Sequence, residues 1–471
     1  LRIPFTGGSY QLKAKSFAVQ RSINLMPILP EVPNTKSMQS LQGTAGLELY
    51  TTVGNGAVRG DLSSTSGRMF FVSGSKFSEI IAGVETVHGT INTSTGRVSI
   101  AENKTQIMIV DGVDGWIFTK ATDGFVQITD GDFPVCSVVS YQDGYFQVFE
   151  DGTQKFYISA LNDGTNWDAL DFTSVEASPD DLTSIISYNG NTALLGNRSI
   201  EIYQNTGNAD FPFERIAGAI IPTGCVGGFA VARFDNSIAW LGKDEDGDGV
   251  IWILEGYQAK RISTHAIEER ISQATNLANS YMWVYHEDGH IFLGLQIDDL
   301  DTTIVYDGST GLFHERSYHN PTLGVKEQQR ASTVSFFDGD ILVGDRENGN
   351  IYKMSTAYLD DAGDEILRER IAPHLQDEKR LVSYGSFELD MEVGVGLVTG
   401  QGSDPQIMMQ YSDDGGFTWS DELWRTMGAI GKYNTRVIWR SLGQSRDRVF
   451  RVRISDPVEV QMNDAYLNSG A

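Results

Sequence analysis

The feature that most constrains this chain is a short run of strands punctuated by Asp-Gly pairs. In residues 140–159, SYQDGYFQVFEDGTQKFYIS, the strand formers Tyr145, Phe146, Val148 and Phe149 lie between Asp143-Gly144 and Asp151-Gly152, and Phe156-Tyr157-Ile158 follows. Asp-Gly supplies the positive φ that a two-residue hairpin loop demands, so the stretch reads as three strands joined by tight turns.

The pattern recurs. Met69 to Val72 lies between Gly67 and Gly74, with residues 76–81 as its hairpin partner. Residues 106–110 lead through Asp114-Gly115 and Asp123-Gly124 into two more strands. Further copies surround Asn189-Gly190, occupy 237–254, surround Asp288-Gly289, and run from Val334 through Asp338-Gly339 and Asn348-Gly349 to Tyr352. Equivalent turns recur at roughly 40 to 50 residues, the period of propeller blades. The expected fold is mainly β, a β-propeller of about six to seven blades with a C-terminal β-rich domain. A β-sandwich of glycine-rich hairpins is the alternative that the same pattern allows.

The domain reading follows from changes of texture. Residues 1–50, with Pro4, Pro27, Pro30 and Pro33, read as an extended arm with one strand around 21–25, draped over a neighbour. Residues 51–355 are the propeller, and 356–471 a charged linker, partly helical over 360–370, and a second β domain. Its strands are expected at 385–393, 406–411, 436–440 and 449–454. One helix is expected where Ser263-Thr264 precedes Ile267, Ile271 and Ala274 at helical spacing.

With 471 residues the chain exceeds one small core, and 50 glycines with 10% aromatics suit many short strands. Its 62 acidic and 36 basic side chains give a net charge of −26, which should repel a phosphate backbone. That charge serves solubility alone, or a surface past which DNA slides without sticking. Cys136 and Cys225 have no ligand-spaced neighbours and read as two small buried hydrophobes. No apolar run is long enough to span a bilayer and the start lacks a signal-peptide core, so synthesis in a cytoplasm without membrane insertion is expected.

Four constellations carry candidate chemistry. Asp244, Asp246 and Asp248, with Glu255, fit the EF-hand loop letter by letter. Residues 250–254 read as extended, however, which places Glu255 about 20 Å beyond Gly249 at about 3.3 Å per residue. A partial calcium turn from the three aspartates, or a solvated turn, remains; no other cofactor is expected. Residues 412–419, SDDGGFTW, match the Asp-box hairpin S-x-D-x-G-x-T-W of sialidases and other propellers. His286, His290, His314 and His319 cluster in sequence but read as hairpin-end residues. No catalytic pair of carboxylates stands out and no nucleophile or nucleotide motif is present, so no residue is assigned a catalytic role. The strongest charge anomaly is Arg425, Lys432, Arg436, Arg440, Arg446, Arg448, Arg451 and Arg453 against the single acid Asp447, and the last six arginines are its site candidates. In Arg451-Val452-Arg453-Ile454 the arginines share one strand face while Val452 and Ile454 face a core. These six arginines are candidates for pairing with carboxylates within or between subunits, or for phosphate contact.

Several segments in a fixed order resemble the tail-nozzle proteins of short-tailed bacteriophages, also described as packaged-DNA stabilisation or tail accessory proteins. They are Pro4-Phe5 with Tyr10, 20–27 (QRSINLMP), 43–47 (GTAGL), 54–60 (GNGAVRG), 257–264 (YQAKRIST), 401–406 (QGSDPQ), the 412–420 hairpin and 442–450 (LGQSRDRVF). Where many members have proline in the G-T-x-G segment, this chain has Ala45. The resemblance implies a non-enzymatic virion protein. Six copies would ring the tail below the portal and adaptor, contact tail spike or fibre proteins, retain packaged double-stranded DNA and guide its ejection. The alternative from another class is a glycan-binding or glycan-hydrolysing β-propeller that uses the Asp-box hairpin.

Overall fold

The computed structural model describes residues 1–175, 179–243 and 247–468. Seven four-stranded units follow one another around a ring: 58–90, 99–127, 139–174, 182–221, 231–261, 281–320, and a seventh made of 331–355 with Gly46–Thr52. The innermost strands adjoin in sequence order, and Ala331–Phe337 of the seventh blade lies against Val58–Ser63 of the first, closing the circle. Closure is made by the chain start, since Gly46–Thr52 pairs antiparallel with Asn350–Ser355 as the outer strand of the last blade. A ring closed this way leaves no sheet ending in an open inner edge.

The turn chemistry explains the regularity. Asp143-Gly144, Asn189-Gly190, Asp288-Gly289 and Asp338-Gly339 each have both residues at positive φ, from 45° to 96°, the conformation of the favoured two-residue hairpin loop. Asp151-Gly152 and Asp123-Gly124 have one residue there and Asp114-Gly115 and Asn348-Gly349 neither, so these connections are built differently. Between the blades lie apolar layers. One runs from Ala193 through Trp240 to Leu295 and Phe313, and another joins Phe70, Phe77, Ile107 and Phe118. Both cysteines are buried and unpaired among these side chains. The helix, His265–Ile271, is capped by Thr264, whose hydroxyl accepts from the Ile267 amide, and it buries Ala266, Ile267 and Ile271 against the ring. Among the described residues no helix is long and apolar enough to cross a membrane.

The second unit is a sandwich. One sheet has the order Leu25–Ile28, Ser40–Gly43, Gln461–Asn468, Ser386–Met391, Val437–Arg440, with Arg2–Ile3 added alongside Gln461–Asn468. The other has Val19–Ile23, Arg368–Ile371, Asp447–Ile454, Gln406–Ser412, Leu423–Thr426, and it joins the sixth blade where Ile23 pairs with Glu315. The four strands expected from sequence are present, and Val452 and Ile454 do face the core, both fully buried beside Phe387, Phe450 and Trp439.

The chain start departs from expectation. Instead of lying over a neighbour, it supplies strands to both sheets, and Ile3, Phe5, Leu25 and Leu41 sit in the sandwich core. Asn24, at φ 53°, is the corner at which the strand passes from one sheet to the other. Its side chain is committed there: Nδ2 donates to the Ser317 and Leu367 carbonyls, and Oδ1 accepts from the Ser317 amide at 2.9 Å. The segment 360–370 contains no helix. It forms isolated bridges and the strand Arg368–Ile371, with Asp361, Arg368, Glu369 and Arg370 buried.

At Gly46 the chain leaves the sandwich for the propeller, and a Cβ there would lie 2.4 Å from the Asp360 carbonyl oxygen and 2.5 Å from that of Tyr358. Gly46→Ala should therefore cost about 1–3 kcal/mol, read as a lowered urea midpoint. Gly131→Ala, where a Cβ meets nothing within 4 Å, should leave the midpoint unchanged.

Candidate functional site

Three features bear on function: a buried charged junction between the domains, the basic strands of the sandwich, and the propeller axis.

At the junction the Arg21 guanidinium pairs with Glu315, Nε to Oε1 at 2.9 Å, and Glu315 also accepts from Thr302 (2.6 Å) and Ser9 (3.1 Å). Burial pushes the Glu315 carboxyl up, yet Arg21 and the hydrogen bonds outweigh it and hold it at about 2. Lys326 reaches Glu369 at 2.7 Å. Arg370 has no acidic partner. It donates to the carbonyls of Phe5 (2.7 Å), Gly7 (3.0 Å) and Gly8 (3.2 Å) and to the Ser22 hydroxyl (2.9 Å), and burial lowers it to about 9. Arg316 donates to the Ala45 carbonyl at 2.5 Å, so the turn at 43–46 is held by a guanidinium.

The six C-terminal arginines separate into two groups. Arg448 is buried: it stacks between Tyr384 (4.4 Å) and Tyr411 (4.1 Å) and forks onto Asp413 at 2.6 and 2.8 Å. Arg451 lies over the Trp419 ring at 4.2 Å and donates to Gln410 Oε1, which Arg453 shares while also pairing with Glu422. These three are committed within the chain. Arg436, Arg440 and Arg446 are exposed. Arg436 forks onto Glu388 at 2.8 Å, Arg446 donates to the Lys379 carbonyl at 2.6 Å, and among the described residues the Arg440 side chain makes no hydrogen bond or close ion pair, although its charge helps hold the Glu388 carboxyl low.

The Asp-box hairpin lies in the sandwich. Asp414 accepts from the Phe417 and Thr418 amides at 3.0 Å and from the Thr418 hydroxyl at 2.5 Å, which holds its carboxyl far below the usual range. Its oxygens are spent on its own loop, and Asp413 anchors Arg448. The histidines do not assemble: His314 is fully buried, and burial lowers it to about 3, while His290 pairs with Asp307 at 2.8 Å. Asp244 and Asp246 lie outside the described residues, and Asp248 begins the strand Asp248–Glu255, so the calcium turn is not placed. Among the described residues no three His, Cys, Asp or Glu side chains are placed to hold a metal.

The propeller axis holds residues that had no sequence signal. Its inner strands enclose a cavity of about 860 Å³. Across it reaches Arg97, from the loop before the second blade, to the fifth, sixth and seventh. It lies over Phe229 (5.3 Å) and Tyr281 (3.9 Å) and donates to the Ser332 carbonyl at 3.0 Å. Asp61 shares this interior; burial pushes its carboxyl up to about 6 against the pull of Ser335, Arg97 and Thr333. Arg97 thus stands within the space that the inner strands surround.

Fold and site together define a two-domain β-structural protein: a closed seven-bladed propeller whose axial cavity holds Arg97, fastened to a sandwich that shares its N-terminal strands. The chain belongs to the family of bacteriophage P22 Gp10, whose β-propeller model matches residues 1–358 and whose β-sandwich model matches residues 367–469. It is a structural component of a phage tail. The propeller match includes the first 43 residues, which fold into the sandwich.

No curated protein matches the chain. Among solved structures, the extracellular domain of BT4673 from B. thetaiotaomicron is similar at 11% identity and a TM-score of 0.45, covering 84% of this chain and 48% of its own. The N-terminal domain of Nup159 is similar at 10% identity and a TM-score of 0.40, over 75% and 98%. The Cps50 (Swd1) β-propeller domain of Myceliophteria thermophila is similar at 9% and 0.43, over 66% and 99%. The chain thus spans about half the length of BT4673's extracellular domain.

Two outcomes test the buried charges. Arg370→Leu strands three carbonyls and should release the chain start, seen as new cleavage within residues 5–22 under limited proteolysis. Asp61 binds its proton more tightly in the folded chain, so its contribution to stability falls as pH rises from about 4 to about 6. Asp61→Asn should raise the unfolding free energy at neutral pH by on the order of 1–3 kcal/mol, seen as a higher thermal midpoint, and change nothing below about pH 4.

Proposed function

We propose that the chain is a subunit of the tail nozzle, a ring of six copies that extends and closes the tail channel, retains packaged DNA and guides its ejection. The observation that carries this reading is what the propeller's axis holds. Arg97, stacked on Tyr281, occupies part of the propeller's own interior, and this reading places the path for duplex DNA between copies. Membership of the P22 Gp10 family over both domains supports a place in the tail.

The net charge of −26 supports a lining role of a particular kind. A wall of like charge keeps DNA mobile through repulsion, whereas a basic wall would bind it. Neighbours on this reading are the tail adaptor and portal-proximal ring above, tail spikes or fibres alongside, and duplex DNA in passing.

Light scattering of the purified chain should report a mass near six times 51.9 kDa, and electron microscopy of the particle should place the ring at the distal tail. A monomer that retains or cleaves bacterial polysaccharide would instead establish the glycan-directed alternative.

A further inference from the structure

The strand order leaves one side of the sandwich uncovered. Leu423–Thr426 is the last strand of one sheet and Val437–Arg440 the last of the other, and the two lie side by side. Side chains fasten the gap between them: Arg425 Nε donates to the Ile438 carbonyl at 2.9 Å, and Trp439 Nε1 to the Leu423 carbonyl at 2.8 Å. These bonds occupy edge carbonyls and guard against strand addition. They do nothing for the side chains around them, because Trp424 is 51% exposed, Ile430 57% and Tyr433 70%.

The charge of this edge is opposite to that of the molecule. Residues 423–446 hold five basic and no acidic side chains, in a chain of 62 acidic and 36 basic residues. Arg436 is occupied by Glu388, while Arg440 and Lys432 stand exposed and, among the described residues, make no side-chain hydrogen bond or close ion pair; Arg440 adds only its field to the one that holds the Glu388 carboxyl low. Exposed Trp and Tyr beside exposed cations is the composition of an interface centre. Phosphate contact would use the cations alone and leave Trp424, Ile430 and Tyr433 in water without a reason.

We propose that this open edge, centred on Trp424, Tyr433 and Arg440, docks one copy of the chain onto the acidic surface of the next. The inference rests on the reading that copies assemble, and it names the surface they use. Its counterpart must offer apolar area among unpaired acids. The third blade offers such a tip, where Leu170 is 81% exposed between Asp168 and Asp171 on the outer strand Asp163–Ser174. Attraction between a basic edge and an otherwise acidic molecule would also orient the approach, and should weaken with salt.

The test compares the full-length chain with Trp424→Ser and Arg440→Glu by analytical ultracentrifugation, with thermal melting as a control for folding. A mobility-shift assay on a random-sequence DNA duplex runs in parallel. The wild type should sediment as a multimer and each variant as a 51.9 kDa species that still melts in one cooperative transition, lower than the wild type's only by the stabilisation that assembly supplies. Variants that assemble like the wild type would overturn the proposal and leave the ring reading standing. Variants that keep assembly but lose duplex binding would overturn it in favour of a DNA surface. A wild type that stays monomeric at every concentration removes both the docking edge and the ring.

Discussion

The structure depends on a set of charges buried where the propeller meets the sandwich. Arg21 with Glu315, Lys326 with Glu369, and Arg370 among backbone carbonyls come from the chain start, the sixth blade and the segment 368–371. A guanidinium or carboxylate in such surroundings is costly unless every partner is in place. Each segment is therefore tolerable only when the others are present, which makes the start of the chain, the late blade and the sandwich interdependent. The value of the set lies in this mutual requirement, because an apolar junction could have stuck in several registers.

The path of the chain follows from that junction. It begins in the sandwich, turns a corner at Asn24, leaves at Gly46 to close the propeller, makes the circuit, and returns through 360–371. The two crossings lie together, since the Leu47 amide donates to the Asp360 carbonyl and the Ala362 amide to the Leu47 carbonyl. The domains are thus tied by two neighbouring strands of chain and a buried polar set, a stronger attachment than a single linker.

Much of the architecture was legible because its signals are local. An Asp-Gly or Asn-Gly pair selects its turn within four residues, and the alternation in Arg451-Val452-Arg453-Ile454 assigns faces within one strand. The capped helix at Thr264 was visible for the same reason. The chain start was misread because its prolines and scattered apolar residues have no period, although Ile3, Phe5 and Leu25 find a core some 400 residues away in sequence. The charged segment 360–370 looked solvated, since nothing near it in sequence announces Lys326 or the carbonyls of residues 5–8. Arg97 and Asp61 carry no motif at all; each is an ordinary charge until seven blades turn it inward.

The sequence by itself determined the repeating unit, the mainly-β class, the acidic character and the family, because turn chemistry, composition and ordered motifs act without reference to distant partners. Only the tertiary structure decided that there are seven blades, that residues 46–52 close the ring, that Arg448, Arg451 and Arg453 are spent internally, and that Arg440 stays exposed. Those outcomes depend on which charges and strand edges meet across hundreds of residues, and burial, which sets the cost of leaving them unmet, exists only once the chain has closed on itself.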